Sequence, residues 1–344
     1  MKSYRIAIVG VLGAVGSEMV RMLEKSSIAV EFFKPLDTAE NVGELVDFRG
    51  SAWAVQEAKE GKFEDIDIAL FSAGALASKT LAPIAVAEGA VVIDNSSQWR
   101  MDEGVPLVVP EVNSEALRTH SGIIANPNCS TIQMVTALKP LQDAFGIKRV
   151  VVSTYQAVSG SGTAGIEELR EQTSAVLANE AVDIRTYPHQ IAFNVIPQID
   201  DFLENGYTKE EWKLVEETHK ILGADIPVSP TAVRVPVYRG HSESINVEFE
   251  RSFDLDEVYL VFETAPGILI MDDVAKGEYP LAIECEGKGE VRVGRIRRDF
   301  SVKSGINMWV VSDNLLKGAA LNTVQIAEKL IHLGLVGHES ANSR

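Results

Sequence analysis

Long apolar runs, paired cysteines and positive charge are what this chain has least of. Its 344 residues include two cysteines, Cys129 and Cys285. Two cysteines make no disulfide framework, so a reducing compartment and a cytoplasmic protein are expected. No apolar run is long enough to span a bilayer. The start, Met1-Lys2-Ser3-Tyr4-Arg5, leads into a short apolar strand with glycines behind it, without the h-region and cleavage site of a signal peptide. Acidic residues outnumber basic ones by 49 to 32, a formal net charge of −17. That excess argues against nucleic acid or an anionic membrane as partner. It leaves anionic small ligands open, because a few basic residues can build a site inside an acidic protein. Internal repeats and low-complexity segments are absent as well. The remainder, 46% apolar and 24% charged, is ordinary for a soluble globular protein. The length suits one large or two ordinary domains.

Tyr4 to Val9 is an apolar, β-branched run that reads as a buried parallel strand. The turn Gly10-Val11-Leu12-Gly13-Ala14-Val15-Gly16 follows, and Glu18 to Lys25 has helical composition. Strand, glycine turn and helix form the context of a dinucleotide fingerprint. In that reading Gly10 makes the tight turn, Gly13 lets backbone approach a pyrophosphate at the helix N-terminus, and Gly16 lets helix and strand pack closely. The spacing is GxxGxxG, so a purely structural glycine turn is the alternative. A second strand, Val30 to Leu36, ends at Asp37. An acid about twenty residues past the turn can hold a ribose 2′-hydroxyl; equally, Asp37 can simply open the turn that follows. Further strands are expected at Ile66 to Phe71, Ala90 to Ile93, Leu107 to Val109 and Gly122 to Ala125, with a helix at Ala75 to Glu88. Alternating strands and helices predict an α/β doubly wound parallel sheet. Such sheets bind ligands at the carboxyl ends of their strands, where Gly10, Ser72-Ala73-Gly74, Asp94 to Ser97 and Asn126 to Cys129 all fall. Cofactor and Cys129 are therefore expected at one edge.

Asn126-Pro127-Asn128-Cys129-Ser130-Thr131 is the most suggestive stretch. A turn-forming Asn-Pro-Asn precedes the periodic Ile132, Val135, Leu138 and Leu141, so a loop feeds the first turn of a helix at Cys129. A thiol there meets unsatisfied backbone N–H groups and the positive helix end, both of which favour thiolate. The bland alternative is a buried small hydrophobe.

From about Arg149 the pattern changes. Val150 to Tyr155 reads as a strand, Gln156 to Gly162 as a glycine/serine loop, Gly165 to Glu180 as a helix and Pro188 to Ile199 as irregular. Thr208 to Leu222 is a helix opened by a Thr208–Glu211 capping box. Thr231 to Tyr238, Glu243 to Glu250, Tyr279 to Glu286 and Val291 to Asp299 read as strands, Cys285 being structural in the third. This predicts an α+β domain with a largely antiparallel sheet. A final amphipathic helix, Leu315 to Leu333, returns to the first domain. The expected division is 1–128 plus 315–344 for the dinucleotide-binding domain and 129–314 for the catalytic and dimerisation domain.

The motifs together resemble the bacterial aspartate-β-semialdehyde dehydrogenases nearly end to end. The resemblance rests on the Gly10 to Gly16 turn, Asp94 to Met101, Val108 to Asn113, Asn126 to Gln133, Ser153 to Gly160, Arg234-Val235-Pro236-Val237 with Gly240-His241-Ser242, and Asn314 to Ala320. It implies NADPH-dependent reduction of L-aspartyl-4-phosphate to the semialdehyde, with phosphate released, in lysine, methionine, threonine and diaminopimelate biosynthesis. It also implies a homodimer and no metal. Cys129 matches the family nucleophile and His241 its general acid/base. Arg234 matches the residue that forks onto the substrate carboxylate. Arg100 and Lys213 match a phosphate-binding pair, Glu210 the acid on the substrate amino group, and Gln156 a substrate-orienting residue. Ser159, Gly160 and Asn314 match cofactor contacts, as do Gly10, Leu12, Gly13, Ala14, Val15 and Gly16. Without the match, His241 reads as a loop residue, Arg234 as an exposed strand position and the other cations as solvated charge. Glu211 adjoins Glu210, so that assignment stays open by one residue.

The chain departs from the family in the loop after the second strand. The family there reads Ala-Ser-X-Arg-Ser-X-Gly, and its Arg neutralises the 2′-phosphate. This chain reads Asp37-Thr38-Ala39-Glu40-Asn41-Val42-Gly43. NADP is the expectation from the family, and NAD the expectation from Asp37 and Glu40, with Lys34 near enough to compensate. N-acetyl-γ-glutamyl-phosphate reductase shares the architecture and the Cys/His chemistry and is the enzymatic alternative. A non-catalytic Rossmann scaffold is the alternative of another class; it predicts loss of Cys129 or His241, and both are present. A glyceraldehyde-phosphate dehydrogenase matches in architecture only.

Overall fold

The computed structural model describes residues 2–336 and divides into two compact units. One comprises the chain up to Pro127 together with the segment from Ala319 on; the other runs from Asn128 to Gly318. Met1 and the end of the expected first domain, 337–344, lie outside the described residues.

The first unit is built on a six-stranded, all-parallel sheet. Its order is Gln56–Glu57, Val30–Asp37, Tyr4–Val9, Ile68–Phe71, Val91–Asp94, Ile123–Ala125. Alternation along the strands separates two cores, as period-2 geometry requires. Ile6, Ile8, Leu70 and Ile93 pack with Met19 and Leu23 of the helix Ala14–Lys25 and with Val324 and Leu330 of the helix Leu321–His332. Ala7, Val9, Phe71 and Val92 pack with Ala82 and Ala85 of the helix Gly74–Ala87. The expected doubly wound sheet is thus present. Leu107 to Val109 is not a strand, however. Only Leu107 bridges to Ala125, because Pro110 starts a short helix, Pro110–Asn113, with Val109 as its cap.

The second unit holds a six-stranded mixed sheet ordered Val228–Arg234, Ile147–Gln156, His241–Phe249, Gly305–Ser312, Val291–Arg298, Ile268–Ile270. The three inner pairings are antiparallel and the two outer ones parallel. Ile245, Val247 and Phe249 bury one face against Met134, Leu138 and Leu141 of the helix Cys129–Phe145 and against Val258 and Phe262. The first strand of this sheet stops at Arg234, two residues before Pro236, rather than running to Tyr238. Tyr279 to Glu286 is not a strand either: Ala282–Cys285 forms one helical turn after Pro280. Cys285 is buried there, and burial pushes its thiol up to about 11, so the structural reading of this cysteine holds. The C-terminal helix is broken, since Leu316–Ala320 winds as a π-helix before Leu321–His332.

Candidate active site

Cys129 opens the helix Cys129–Phe145 as expected. Asn128 is its N-cap, and the Asn128 Oδ1 accepts from the N–H groups of Ser130 at 3.0 Å and Thr131 at 3.3 Å. Two of the first-turn N–H groups are therefore satisfied by the cap. The half-buried Cys129 is the first residue of the helix, at its positive end. Gly318 lies against it: a Cβ there would sit 2.8 Å from Cys129 Cβ, too close for any side chain.

Asn128 also ties this helix to the one bearing the candidate substrate acid. Its Nδ2 donates to Glu210 Oε1 at 2.9 Å, and its backbone N–H donates to Glu217 Oε2 at 2.7 Å. Gln156, at the end of the strand Ile147–Gln156, donates to the same Glu210 oxygen at 3.1 Å. Lys213 Nζ lies 3.3 Å from Glu210 Oε2 and 2.9 Å from Asp200. Burial alone would raise the Glu210 pKa. Lys213, with Asn128, Gln156 and Arg234, outweighs that and holds the carboxyl below its ordinary value. Glu211 faces elsewhere. It completes the capping box, accepting from Thr208 N at 2.7 Å, and its other oxygen accepts from Ala232 N at 2.9 Å. The geometry therefore puts Glu210, not Glu211, beside Gln156.

His241 begins its strand and is fully buried. Its Nδ1 accepts from Ala157 N at 3.0 Å, so the neutral ring carries its proton on Nε2. Among the described residues, that Nε2 has no hydrogen-bond partner. Burial, and then the neighbouring Arg234 charge, lowers the His241 pKa well below its ordinary value. The ring is thus a neutral donor waiting for an acceptor. Arg234 is buried too, donating from Nη1 to Ala157 O at 2.7 Å, with its guanidinium 6.0 Å from the Tyr187 ring centre. Arg234 is thus not the exposed strand position its local sequence suggests, and His241 starts a strand rather than sitting in a loop. A Cβ on Gly160 would fall 2.8 Å from Arg234 Nη1 and 3.3 Å from His241 Nε2, so glycine keeps the space before both groups open. Asn314 Nδ2 donates to Ser159 Oγ at 2.9 Å, and its Oδ1 accepts from Gly240 N at 2.9 Å. Ser159 and Asn314 are thus joined, and they hold the backbone next to His241.

In the first unit, Gly10 has φ +76°, and a Cβ there would lie 2.6 Å from Ser72 O. A Cβ on Gly16 would lie 2.0 Å from Gly10 O. Gly13 caps the helix whose first turn carries Ala14 and Val15. The three glycines form a tight cradle at a helix N-terminus, which suits a pyrophosphate. A cleft of about 430 Å³ adjoins it, lined by Gly10, Gly13, Asp37, Glu57 and Ser72 among others. Asp37 Oδ2 accepts from Leu12 N at 3.1 Å; Oδ1 accepts from Thr38 N and Asn41 Nδ2, each at 2.8 Å. Asp37 thus does open the turn, and it also faces the cleft. Glu40 is exposed on the turn Ala39–Asn41. Arg100 is buried, its Nε donating to Asn126 O and its Nη2 to Asn95 O, each at 3.0 Å, so it is not a solvated charge.

Family models match both halves of the chain: a semialdehyde dehydrogenase NAD-binding domain over residues 5–120 and a semialdehyde dehydrogenase dimerisation domain over residues 138–317. An aspartate-semialdehyde dehydrogenase of Aquifex aeolicus is 52% identical over 97% of this chain and 99% of that protein. The chain belongs to the aspartate-semialdehyde dehydrogenase family. The fold agrees. The crystal structure of aspartate semialdehyde dehydrogenase II complexed with ASA from Vibrio cholerae superimposes with a TM-score of 0.94 at 47% identity, over 96% of this chain and 99% of that one. The Candida albicans structure with NADP gives a TM-score of 0.77 at 25% identity, over 96% of this chain and 99% of that one. As a member of this family the chain is an NAD(P)-dependent oxidoreductase acting on an aldehyde group, in amino-acid biosynthesis. Among the described residues, no helix is long and apolar enough to cross a membrane. Two features of the site escape sequence reasoning. Asn128 sits in the singled-out stretch, but its double duty as helix cap and Glu210 partner depends on a residue 82 positions away. The need for glycine at 318 depends on a contact with Cys129 that no local pattern announces.

Proposed function

We propose that the chain interconverts L-aspartate 4-semialdehyde and L-aspartyl-4-phosphate through a thioester on Cys129. The observation that carries this reading is the buried chain Asn128–Glu210–Gln156, with Lys213 on the other Glu210 oxygen. It joins the cap of the nucleophile's helix to an ionised acid suited to a substrate ammonium. In the oxidative direction the Cys129 thiolate adds to the aldehyde carbon, and the His241 Nε2–H donates to the oxygen on which charge develops. The dinucleotide, when bound, supplies the hydride acceptor. Phosphate then attacks the thioester carbonyl and displaces the Cys129 thiolate; in the biosynthetic direction each step reverses. Arg234 takes the substrate α-carboxylate, a planar pairing that guanidinium favours. Gln156 orients the substrate, and Lys213 takes the phosphate.

The dinucleotide is assigned to the first unit, held by the turn Gly10 to Gly16 and the loop Asp37 to Asn41. The second unit carries catalysis and dimerisation. A homodimer forms through the sheet face opposite the helix Cys129–Phe145, where Tyr155 and Trp309 meet with ring centres 5.5 Å apart and Tyr155 remains exposed. A cytoplasmic site of action fits the two free cysteines. The test is phosphate-dependent reduction of NAD and NADP by aspartate semialdehyde, in wild type and Cys129→Ala. Activity that needs phosphate and vanishes in the variant is expected. Activity retained without the thiol rejects the mechanism.

A further inference from the structure

The charged residues that line the dinucleotide cleft are acidic. Between Lys34 and Arg49 the charged residues are Asp37, Glu40, Glu44 and Asp47, all acidic. Among the described residues, two charged ones line the cleft, Asp37 and Glu57, and they are paired neighbours on adjacent strands. Lys59 lies 2.5 Å from Glu57 and pairs with it, so Asp37 is the cleft carboxylate without a cationic partner among the described ion pairs. The two cations that flank the loop in sequence are committed elsewhere. Lys34 Nζ donates to Lys62 O at 3.0 Å and lies over the Phe32 ring. Arg49 donates from Nη2 to Ile28 O at 2.9 Å. The compensation that Lys34 could offer in the sequence is therefore not available to this cleft.

Asp37 is set up as an acceptor. A carboxylate has about four lone-pair sites. Thr38 N–H and the Asn41 amide take both on Oδ1, and Leu12 N–H takes one on Oδ2. One site on Oδ2 remains, on a side chain locked by three donors. That site suits a hydroxyl donor and opposes a phosphate monoester, which carries roughly −1.5 to −2 charge at neutral pH and only acceptor oxygens.

We propose that this cleft selects NAD over NADP, with Asp37 accepting from the free 2′-hydroxyl of the adenosine ribose and Glu57 reinforcing the exclusion of a 2′-phosphate. The inference rests on the assignment of the first unit as the dinucleotide site, and it sets this chain apart from the family's usual cofactor.

The test is direct titration of the full-length protein with NADH and with NADPH, followed by nicotinamide fluorescence, for wild type, Asp37→Asn and Glu57→Gln. NADH is expected to bind roughly tenfold tighter or more, the factor that corresponds to about 1.4 kcal/mol. Both variants should narrow that ratio, chiefly by tightening NADPH. Asp37→Asn also touches the Leu12 contact, so Glu57→Gln serves as the variant that leaves the glycine turn intact. Equal or tighter binding of NADPH by wild type, or a ratio unchanged in Glu57→Gln, overturns the selectivity and leaves the dinucleotide site standing. Failure of wild type to bind either nucleotide overturns both.

Discussion

Replacing Glu210 by Gln keeps the shape of the side chain and an oxygen for Asn128 and Gln156, but removes the charge facing Lys213. The wild-type carboxyl is held ionised against its own burial by Lys213 and the two amides. A hydrogen bond to a charged group contributes about 1.5–3 kcal/mol. Losing it on the substrate ammonium should lower kcat/KM by roughly 10- to 150-fold. Lys213 retains Asp200 at 2.9 Å, so the fold should survive. Glu211→Ala is the matching control. It removes the capping box and the acceptor for Ala232 N, at a cost of about 0.5–2 kcal/mol of stability, while the reaction proceeds normally below the new Tm. Steady-state kinetics and calorimetry on the two variants read both effects. Full activity in Glu210→Gln, or a kinetic loss confined to Glu211→Ala, would refute the assignment.

Two further substitutions probe the same neighbourhood. Gly160→Ala places a methyl 2.8 Å from Arg234 Nη1 and 3.3 Å from His241 Nε2; misplacing such groups by about 1 Å costs on the order of 100-fold, so kcat/KM should fall steeply with little change in Tm. A variant with wild-type kinetics would show that this space is not used. Glu243 is fully buried, and among the described residues neither oxygen has a hydrogen bond of normal geometry; burial raises its pKa well above 4.5, with Gln133 beside it offsetting part of that. Because the folded-state pKa is the higher one, this residue's stabilising contribution is complete below the unfolded pKa and declines as pH rises toward the folded one. Glu243→Gln should remove that decline and raise stability at pH 8 by on the order of 1–3 kcal/mol. Parallel stability–pH profiles for the two proteins would rule this out.

Local signals announced the parts of this molecule that are locally determined. The glycine turn, the helix start at Cys129 and the Thr208–Glu211 box are each set by a few adjacent residues, and all three formed where the sequence placed them. Tyr279 to Glu286 misled because its alternation is real, yet Pro280 removes a donor and the segment finds no strand partner. The helix Leu255–Thr264 went unread, although Asp254 and Glu257 carry its signature, with Asp254 N donating to Glu257 at 2.8 Å. His241 and Arg234 show the limit most clearly. Locally His241 reads as a loop residue and Arg234 as an exposed strand position, yet each is buried and bonded to Ala157, about 80 residues away in sequence, which long-range strand pairing brings close.

The central claim is a covalent acyl group on Cys129. The most direct measurement is the intact mass of the enzyme after mixing with aspartate semialdehyde and dinucleotide with phosphate left out, followed by peptide mapping. One aspartyl adduct is expected, on the Cys129 peptide, and added phosphate should discharge it. An enzyme that turns over with no adduct, or an adduct on Cys285, would contradict it.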